Sequence, residues 1–265
     1  MPEILQYGFM QRALLAGVMI GVIAPSIGVF LVLRRLSLIA DTLSHVALAG
    51  VAVALLAGWH PAAGAFIAVV AAAVGIERMR VSGRLFGDAA LAIFLSGGLA
   101  VAVVVIGLSG GFRVDLFAYL FGAITAVQPR DLRVILGLGL GVLAAVAVFY
   151  KELFAIAFDE EAARVQGVPV DALNLLVTVL VAVTAVVAMR VVGVLLTSAL
   201  IVIPAATALR VAGSFRATLL LAVGSALLSV ITGMTAAFYL NLAAGGAIVL
   251  TAIALFVATS TLRRT

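Results

Sequence analysis

The sequence predicts an all-α protein that crosses a membrane many times, and two observations support this prediction. The 265-residue chain is 66% hydrophobic and only 10% charged, with a mean hydropathy of +1.36. In soluble domains about a quarter of the residues are charged. The apolar residues also form nine runs, most of them close to the roughly 20 residues that a helix needs to cross hydrocarbon. They lie near 13–33, 38–58, 61–76, 89–107, 132–149, 170–189, 191–209, 217–240 and 243–261. A soluble enzyme core is therefore excluded.

Short polar gaps separate these runs and give each predicted helix its ends. The gap at 108–131 is longer and of mixed character, which predicts a partial span or an interfacial helix there. The expected bundle therefore has about eight to nine helices. Because no internal repeat and no Pro/Ser/Gly linker divides the chain, residues 1–265 are expected to form a single membrane domain.

Basic residues fall in alternate gaps, which predicts the orientation of the chain in the membrane. Cytoplasmic loops carry an excess of Lys and Arg, so nine spans with this pattern place the N-terminus outside. Arg190, at a helix end, is a lone exception, apart from Arg113 and Arg130 in the mixed 108–131 gap. The residues expected on the cytoplasmic side are Arg34, Arg35, Arg78, Arg80, Arg84, Lys151, Arg164, Arg210, Arg216, Arg263 and Arg264. Because they are dispersed, membrane orientation accounts for the net charge of +5, and no nucleic-acid partner is expected.

Several chemistries are excluded by composition. The chain has no Cys, which removes disulfides, thiolate metal sites and cysteine nucleophiles together. A nucleotide-binding P-loop needs a lysine after its glycines, and the single lysine, Lys151, has no such loop before it. Leu-Ser-Gly-Gly at 95–98 resembles the signature of ABC ATPases, but Ser and Gly at helix ends produce this string readily. The chain is therefore not expected to hydrolyse ATP itself or to be an enzyme.

An intramembrane serine protease is a remote alternative. Gly107-Leu108-Ser109-Gly110 matches the string around the nucleophile of rhomboid proteases, in which a histidine would act as the base. Both histidines, His45 and His60, lie upstream of Ser109, whereas rhomboids place the base downstream. The order of the residues argues against this function.

Asp41 is an acidic residue inside the second apolar run, and His45 follows four residues later. On a helix, residues at i and i+4 share one face, so these two side chains could ligate one ion. An ionisable residue in a span is expected to face the bundle interior or a polar cavity. Carboxylate and imidazole suit Zn, Mn or Fe, and both must be deprotonated to bind, so acidification should weaken binding. Alternatively, Asp41 caps the helix and His45 bonds a neighbouring helix.

The gap from Lys151 to Gly167 is the most strongly charged segment of the chain. Its second half predicts a short polar helix that ends at Gly167, with Pro169 beyond. Glu161-Ala162-Ala163, followed by three residues and Gly167, fits the EAA-xxx-G pattern of the cytoplasmic coupling helix in ABC importer permeases. The alternative is an ordinary solvated loop.

Taken together, these features resemble the permease subunit of ABC importers for zinc, manganese or iron. The resemblance covers nearly the whole chain and is strongest at 32–45, 119–122, 158–167 and 201–208. It implies the fold of a type II ABC importer permease, with Asp41 and His45 contacting the metal. It also implies that a cytoplasmic segment at about 151–168 couples to the ATPase through Asp159, Glu160, Glu161, Ala162, Ala163 and Gly167.

The resemblance further implies the partners and the activity. A divalent ion (Zn, Mn or Fe) would move inward across the bacterial plasma membrane as cargo, with no permanently bound cofactor. The partners implied are a second copy of the chain, two ATP-binding ABC subunits, an extracytoplasmic metal-binding protein and the lipid bilayer. An ABC permease for a metal chelate or a vitamin is the main alternative, and a secondary transporter would work without an ATPase.

Overall fold

A computed structural model describes residues 6–81, 87–109, 116–189 and 191–262, and these residues contain helices and turns but no strand. The α-helices are α1 Gly8–Leu33, α2 Leu38–Leu56, α3 Pro61–Val81, α4 Gly87–Leu108, α5 Leu116–Phe121, α6 Pro129–Val148, α7 Tyr150–Phe158, α8 Glu160–Val165, α9 Val170–Ala188, α10 Val194–Val211, α11 Phe215–Leu240 and α12 Ala244–Leu262. Outside the described ranges lie Arg84, Gly110, Arg113, Arg190, Arg263 and Arg264, all used in the sequence predictions.

The predicted all-α bundle is confirmed. Eight helices are long and apolar enough to cross a membrane, namely α1, α2, α3, α4, α6, α9, α11 and α12. The remaining predicted run, 191–209, corresponds to α10, whose apolar part, Leu196–Val211, is shorter. In the 108–131 gap, α5 has only six residues and would rise about 9 Å, far too little to cross. The described part of this gap is therefore not a span.

Burial places α1, α2 and α9 at the centre of the bundle, while α4, α6 and α12 lie at its periphery. The central helices pack closely because small residues face one another. A Cβ added to Gly28 of α1 would overlap the backbone carbonyl of Ile201 on α10. Helices in lipid associate through such close approaches, since lipid tails are as apolar as the side chains they would replace. α10 continues through Pro204 without interruption.

One end of the bundle collects most of the basic residues. Eight Lys and Arg residues in the described ranges lie at the end that carries α8: Arg34, Arg35, Arg78, Arg80, Lys151, Arg164, Arg210 and Arg216. Three lie at the opposite end: Arg12, Arg130 and Arg133. This arrangement brings together the basic gaps that the sequence assigned to the cytoplasm, and by the positive-inside rule the α8 end is expected to face inward.

The turn between α1 and α2 is tight and hydrogen-bonded. Arg35 adopts a left-handed conformation with φ 58°, and Leu36 N–H donates to Leu31 O at 2.9 Å. Together with the bond from Arg35 N–H to Val32 O, this is the Schellman arrangement that commonly ends a helix, although glycine is the usual residue at the left-handed position. Only four residues separate the two helices, so the end of α1 and the first turn of α2 are closely linked.

Candidate metal site and coupling segment

Asp41 and His45 lie on one face of α2, as their spacing predicted. Asp41 Oδ1 is 3.9 Å from His45 Nε2, and the carboxylate side chain is 39% exposed against 15% for the imidazole. Asp41 is the fourth residue of α2 and lies in its first turn. Its Oδ1 accepts a hydrogen bond of 3.2 Å from Ser198 Oγ on α10. Asp41 is therefore tied to a neighbouring helix, and Ser37 occupies the N-cap position.

The separation of the two ligand atoms suits a shared ion. Oxygen and nitrogen ligands lie about 2.0–2.2 Å from zinc, so two of them on one tetrahedral ion are about 3.4 Å apart. The observed 3.9 Å is slightly longer than this separation and is too long for a hydrogen bond. The pair could hold an ion after a small contraction.

The other ring nitrogen of His45, Nδ1, has no hydrogen-bond partner among the described residues. This atom is also buried. A buried polar atom left without a partner typically costs about 1–3 kcal/mol. Histidines that bind metals normally donate their second N–H to a carboxylate, carbonyl or water. His45 Nδ1 therefore has unused hydrogen-bonding capacity that an internal water could satisfy.

α4 packs against α2 at the level of His45. A Cβ added to Gly98 would lie 3.0 Å from Val46 N and 3.1 Å from the carbonyl carbon of His45, tighter than most real contacts. Thr42 Oγ1 also donates to Leu91 O of α4 at 3.4 Å. The string at 95–98 thus lies inside α4, not at a helix end as expected, and its Gly98 packs against the backbone of the candidate ligand.

One chain supplies few strong ligands. Within the described residues, no group of three or more His, Cys, Asp or Glu side chains could surround an ion. Transition-metal sites usually have four to six ligands, so Asp41 and His45 alone do not complete one.

The coupling segment contains the predicted short helix. Asp159 caps α8 by accepting a 2.9 Å hydrogen bond from Ala162 N–H. Gly167 follows with φ 85°, a left-handed conformation that favours glycine, so the predicted glycine stop is confirmed. The first half of the segment also forms a helix, α7, which the sequence had not predicted.

The six residues predicted for coupling do not share one surface. Ala163 is buried against its own chain, and Glu160 Oε2 lies 2.6 Å from Arg34 Nη2. Asp159, Glu161, Ala162 and Gly167 are exposed. Two large apolar side chains that the sequence did not point to are also strongly exposed: Phe158 at 86% and Val165 at 89%.

Three polar residues near these sites were not identified from the sequence as functional. Arg34 was read only as an orientation signal, but its guanidinium bonds to Glu160 and to Asn174 Oδ1 of α9. Burial lowers the pKa of Arg34, and the Glu160 carboxylate opposes that shift. Asn174 is buried inside an apolar run, a signal that could have drawn attention to it. Ser198 carried no comparable signal, because hydroxyls are common in such helices.

Ser109, the residue of the protease alternative, lies at the end of α4. Its hydroxyl donates to Ile106 O at 2.7 Å, a bond typical of serine in a helix. This contact gives the hydroxyl a local structural role.

Comparison with known proteins identifies the family. The model of the ABC 3 transport family matches residues 6–263. A probable metal transport system membrane protein of Treponema pallidum is 36% identical over 91% of each chain. The manganese transport system membrane protein MntC of Halalkalibacterium halodurans is 35% identical over 96% of this chain and 87% of its own. The structure of PsaBC from Streptococcus pneumoniae in complex with Fab matches with a TM-score of 0.87 and 34% identity, covering 97% of this chain and 92% of that one.

These matches agree with the eight membrane-crossing helices and with the resemblance found in the sequence. The chain therefore belongs to the ABC 3 transport family and is a multi-pass membrane permease of an ABC metal transporter.

Proposed function

We propose that this permease imports a divalent transition-metal ion, manganese in the first instance, driven by a separate ATPase. The observation that carries the proposal is the Asp41–His45 pair, which presents one oxygen and one nitrogen ligand 3.9 Å apart on a central helix. Such ligands suit Mn, Fe and Zn, and with no Cys in the chain soft Cu(I) is disfavoured. Among these metals manganese is favoured because several relatives are named for its transport.

The proposed assembly contains two copies of the chain. A single chain offers two strong ligands among its described residues, whereas two copies facing each other would offer two carboxylates and two imidazoles. That set approaches the usual coordination number, and its oxygen and nitrogen donors would replace the hydration shell that an ion loses on entering the membrane. The partial exposure of the Asp41 side chain, 39%, supports a position at such an interface.

Two ATPase subunits are proposed to dock at the α8 end. This end carries most of the basic residues and exposes Phe158 and Val165, two large apolar side chains. Apolar side chains exposed beside polar residues are typical of a protein–protein contact. Movement of the docked subunits would open and close the ion path by rigid-body shifts of the permease helices. An external binding protein would deliver the ion from the opposite end.

The proposal is tested with the complete transporter in proteoliposomes. Metal uptake is measured with manganese, zinc and iron salts and with an iron chelate, in the presence and absence of ATP. ATP-dependent uptake of free manganese into the liposomes supports the proposal. Uptake of the chelate alone would favour the chelate alternative, and uptake without ATP would indicate a secondary transporter.

A further inference from the structure

Arg34 joins three helices at the α8 end of the bundle. Its Nη2 lies 2.6 Å from Glu160 Oε2 of α8, and its Nη1 donates to Asn174 Oδ1 of α9. Asn174 Nδ2 in turn donates to Glu160 Oε1 at 3.2 Å, which closes a three-residue ring. The Arg34 side chain is 7% exposed. Arg34, Glu160 and Asn174 are called the Arg34 cluster below.

The backbone of Arg34 leads directly into the helix that carries the candidate metal ligands. Its N–H donates to Phe30 O, so the residue is fixed to the last turn of α1. The hydrogen-bonded turn that follows ends at α2, where Ile39 N–H donates to Leu36 O at 3.0 Å. A displacement of Arg34 therefore moves the first turn of α2, which contains Asp41.

The Arg34 cluster is a stronger connection from α8 than the neighbouring ion pair. Arg164 of α8 also pairs with Asp171 of α9 at 2.8 Å, but both side chains are about half exposed. Exposed ion pairs contribute little because water screens them. Arg34 is buried, although Glu160 is 36% exposed, so loss of Glu160 leaves the buried guanidinium charge without its partner, which is unfavourable. The Arg34–Glu160 contact should accordingly persist when α8 moves.

We propose that Arg34 is a positioning residue that transmits movement of α8 to Asp41 and His45 through Glu160. This inference rests on the proposed function, since it requires that the ATPase acts on α8. Arg34 touches neither the metal nor the ATPase in this scheme. Its role is to couple the movement of α2, which carries the ligands, to the movement of α8, which contacts the ATPase.

The test compares Arg34→Gln and Glu160→Gln with Arg35→Gln, in the complete transporter reconstituted in proteoliposomes. Arg35→Gln is a matched control because it removes the same charge from the next position, where the side chain is exposed. The readout is the number of manganese ions imported per ATP hydrolysed. We expect this ratio to fall about tenfold or more in the first two variants, in line with the loss of hydrogen bonds between charged groups. In the control it should not change.

A charge exchange provides a second, independent measurement. In the double variant Arg34→Glu/Glu160→Arg the two charges exchange positions. Asn174 can still hydrogen-bond to both side chains, because a flip of its amide group exchanges the donor and the acceptor. The double variant should recover most of the ratio that either reversal alone abolishes. A purely structural role would instead lower the amount of folded protein and leave the ratio unchanged.

The outcomes are distinguishable from failure of the proposed function. If the unmodified transporter imports no manganese, the proposed function is overturned and this inference falls with it. If it imports manganese and both glutamine variants keep its ratio, only the inference is overturned. If the Arg34→Gln protein does not accumulate, the transport ratio of Glu160→Gln alone tests the inference. That variant should fold, because it preserves the size of a partly exposed side chain.

Discussion

Ser198 Oγ donates a hydrogen bond of 3.2 Å to Asp41 Oδ1, and this contact links α10 to the candidate metal ligand on α2. A carboxylate oxygen can accept more than one bond, so Ser198 can orient Asp41 while leaving it free to bind an ion. The site is thus formed by residues of α2 and α10, two helices that are far apart in the sequence. Any relative movement of α2 and α10 would change the position of the carboxylate.

The first prediction concerns the ligands themselves. Asp41→Asn and His45→Gln should each reduce manganese uptake by the complete transporter at least about tenfold, because a ligand and, for Asp41, a negative charge are lost. Both variants should still assemble with the ATPase, since the α8 end is untouched. The matched control is His60→Gln, which changes the other histidine, an exposed residue beyond the end of α2. Normal uptake in both ligand variants would contradict the metal site.

Ser198→Ala tests the support of Asp41. Loss of groups that orient a metal ligand typically weakens metal binding about 10–100-fold, so we expect a change near the lower end of that range. Thr207→Val is the control, because Thr207 lies on the same helix and its hydroxyl bonds to Ile203 O of that helix. Isothermal titration of purified permease with manganese measures both. Equal affinities for the two variants would show that Ser198 does not act on the site.

The next prediction concerns the packing of α4 behind His45. Gly98→Ala should push α4 away from α2, because the added Cβ meets backbone atoms that cannot move aside easily. Overpacking of this kind typically destabilises by about 1–3 kcal/mol. Gly97→Ala is a close control, since a Cβ at that position meets nothing within 4 Å. Thermal unfolding and manganese uptake should both be impaired in Gly98→Ala and not in Gly97→Ala.

The sequence predicted the positions of the helices because hydrophobicity is a local property and each span is a nearly continuous apolar run. It also predicted the Asp41–His45 pair, since residues four apart share a face in any helix. It could not predict that Glu160 bonds Arg34, because that contact joins segments more than a hundred residues apart. It could not predict that Ala163 faces its own chain either, because its burial depends on how α7 and α8 pack. The short helix α7 was missed because Lys151 and Glu152 mark the start of a charged gap between two spans. The apolar and aromatic residues that follow them form a helix that packs against α1 and α11.

The orientation of α8 changes which substitutions test coupling. Val165→Asp should weaken binding of the ATPase without destabilising the permease, because Val165 is 89% exposed. Ala163→Asp, in contrast, should lower the melting temperature of the permease itself, since it introduces a charge at a buried position. Co-purification of the ATPase and thermal unfolding separate the two effects. Undiminished ATPase binding by Val165→Asp would indicate that α8 is an ordinary solvated connection.

The last prediction concerns orientation in the membrane. Trp59 lies exposed between α2 and α3 at the end of the bundle opposite α8, and Gly213 lies exposed between α10 and α11 at the α8 end. By the positive-inside rule, a membrane-impermeant thiol reagent added to intact cells should label Trp59→Cys but not Gly213→Cys. After the cells are opened, both should react. The chain contains no Cys, so the unmodified protein serves as a background control. Labelling of Gly213→Cys in intact cells, with Trp59→Cys protected, would reverse the orientation, and with it the direction of transport proposed for this permease.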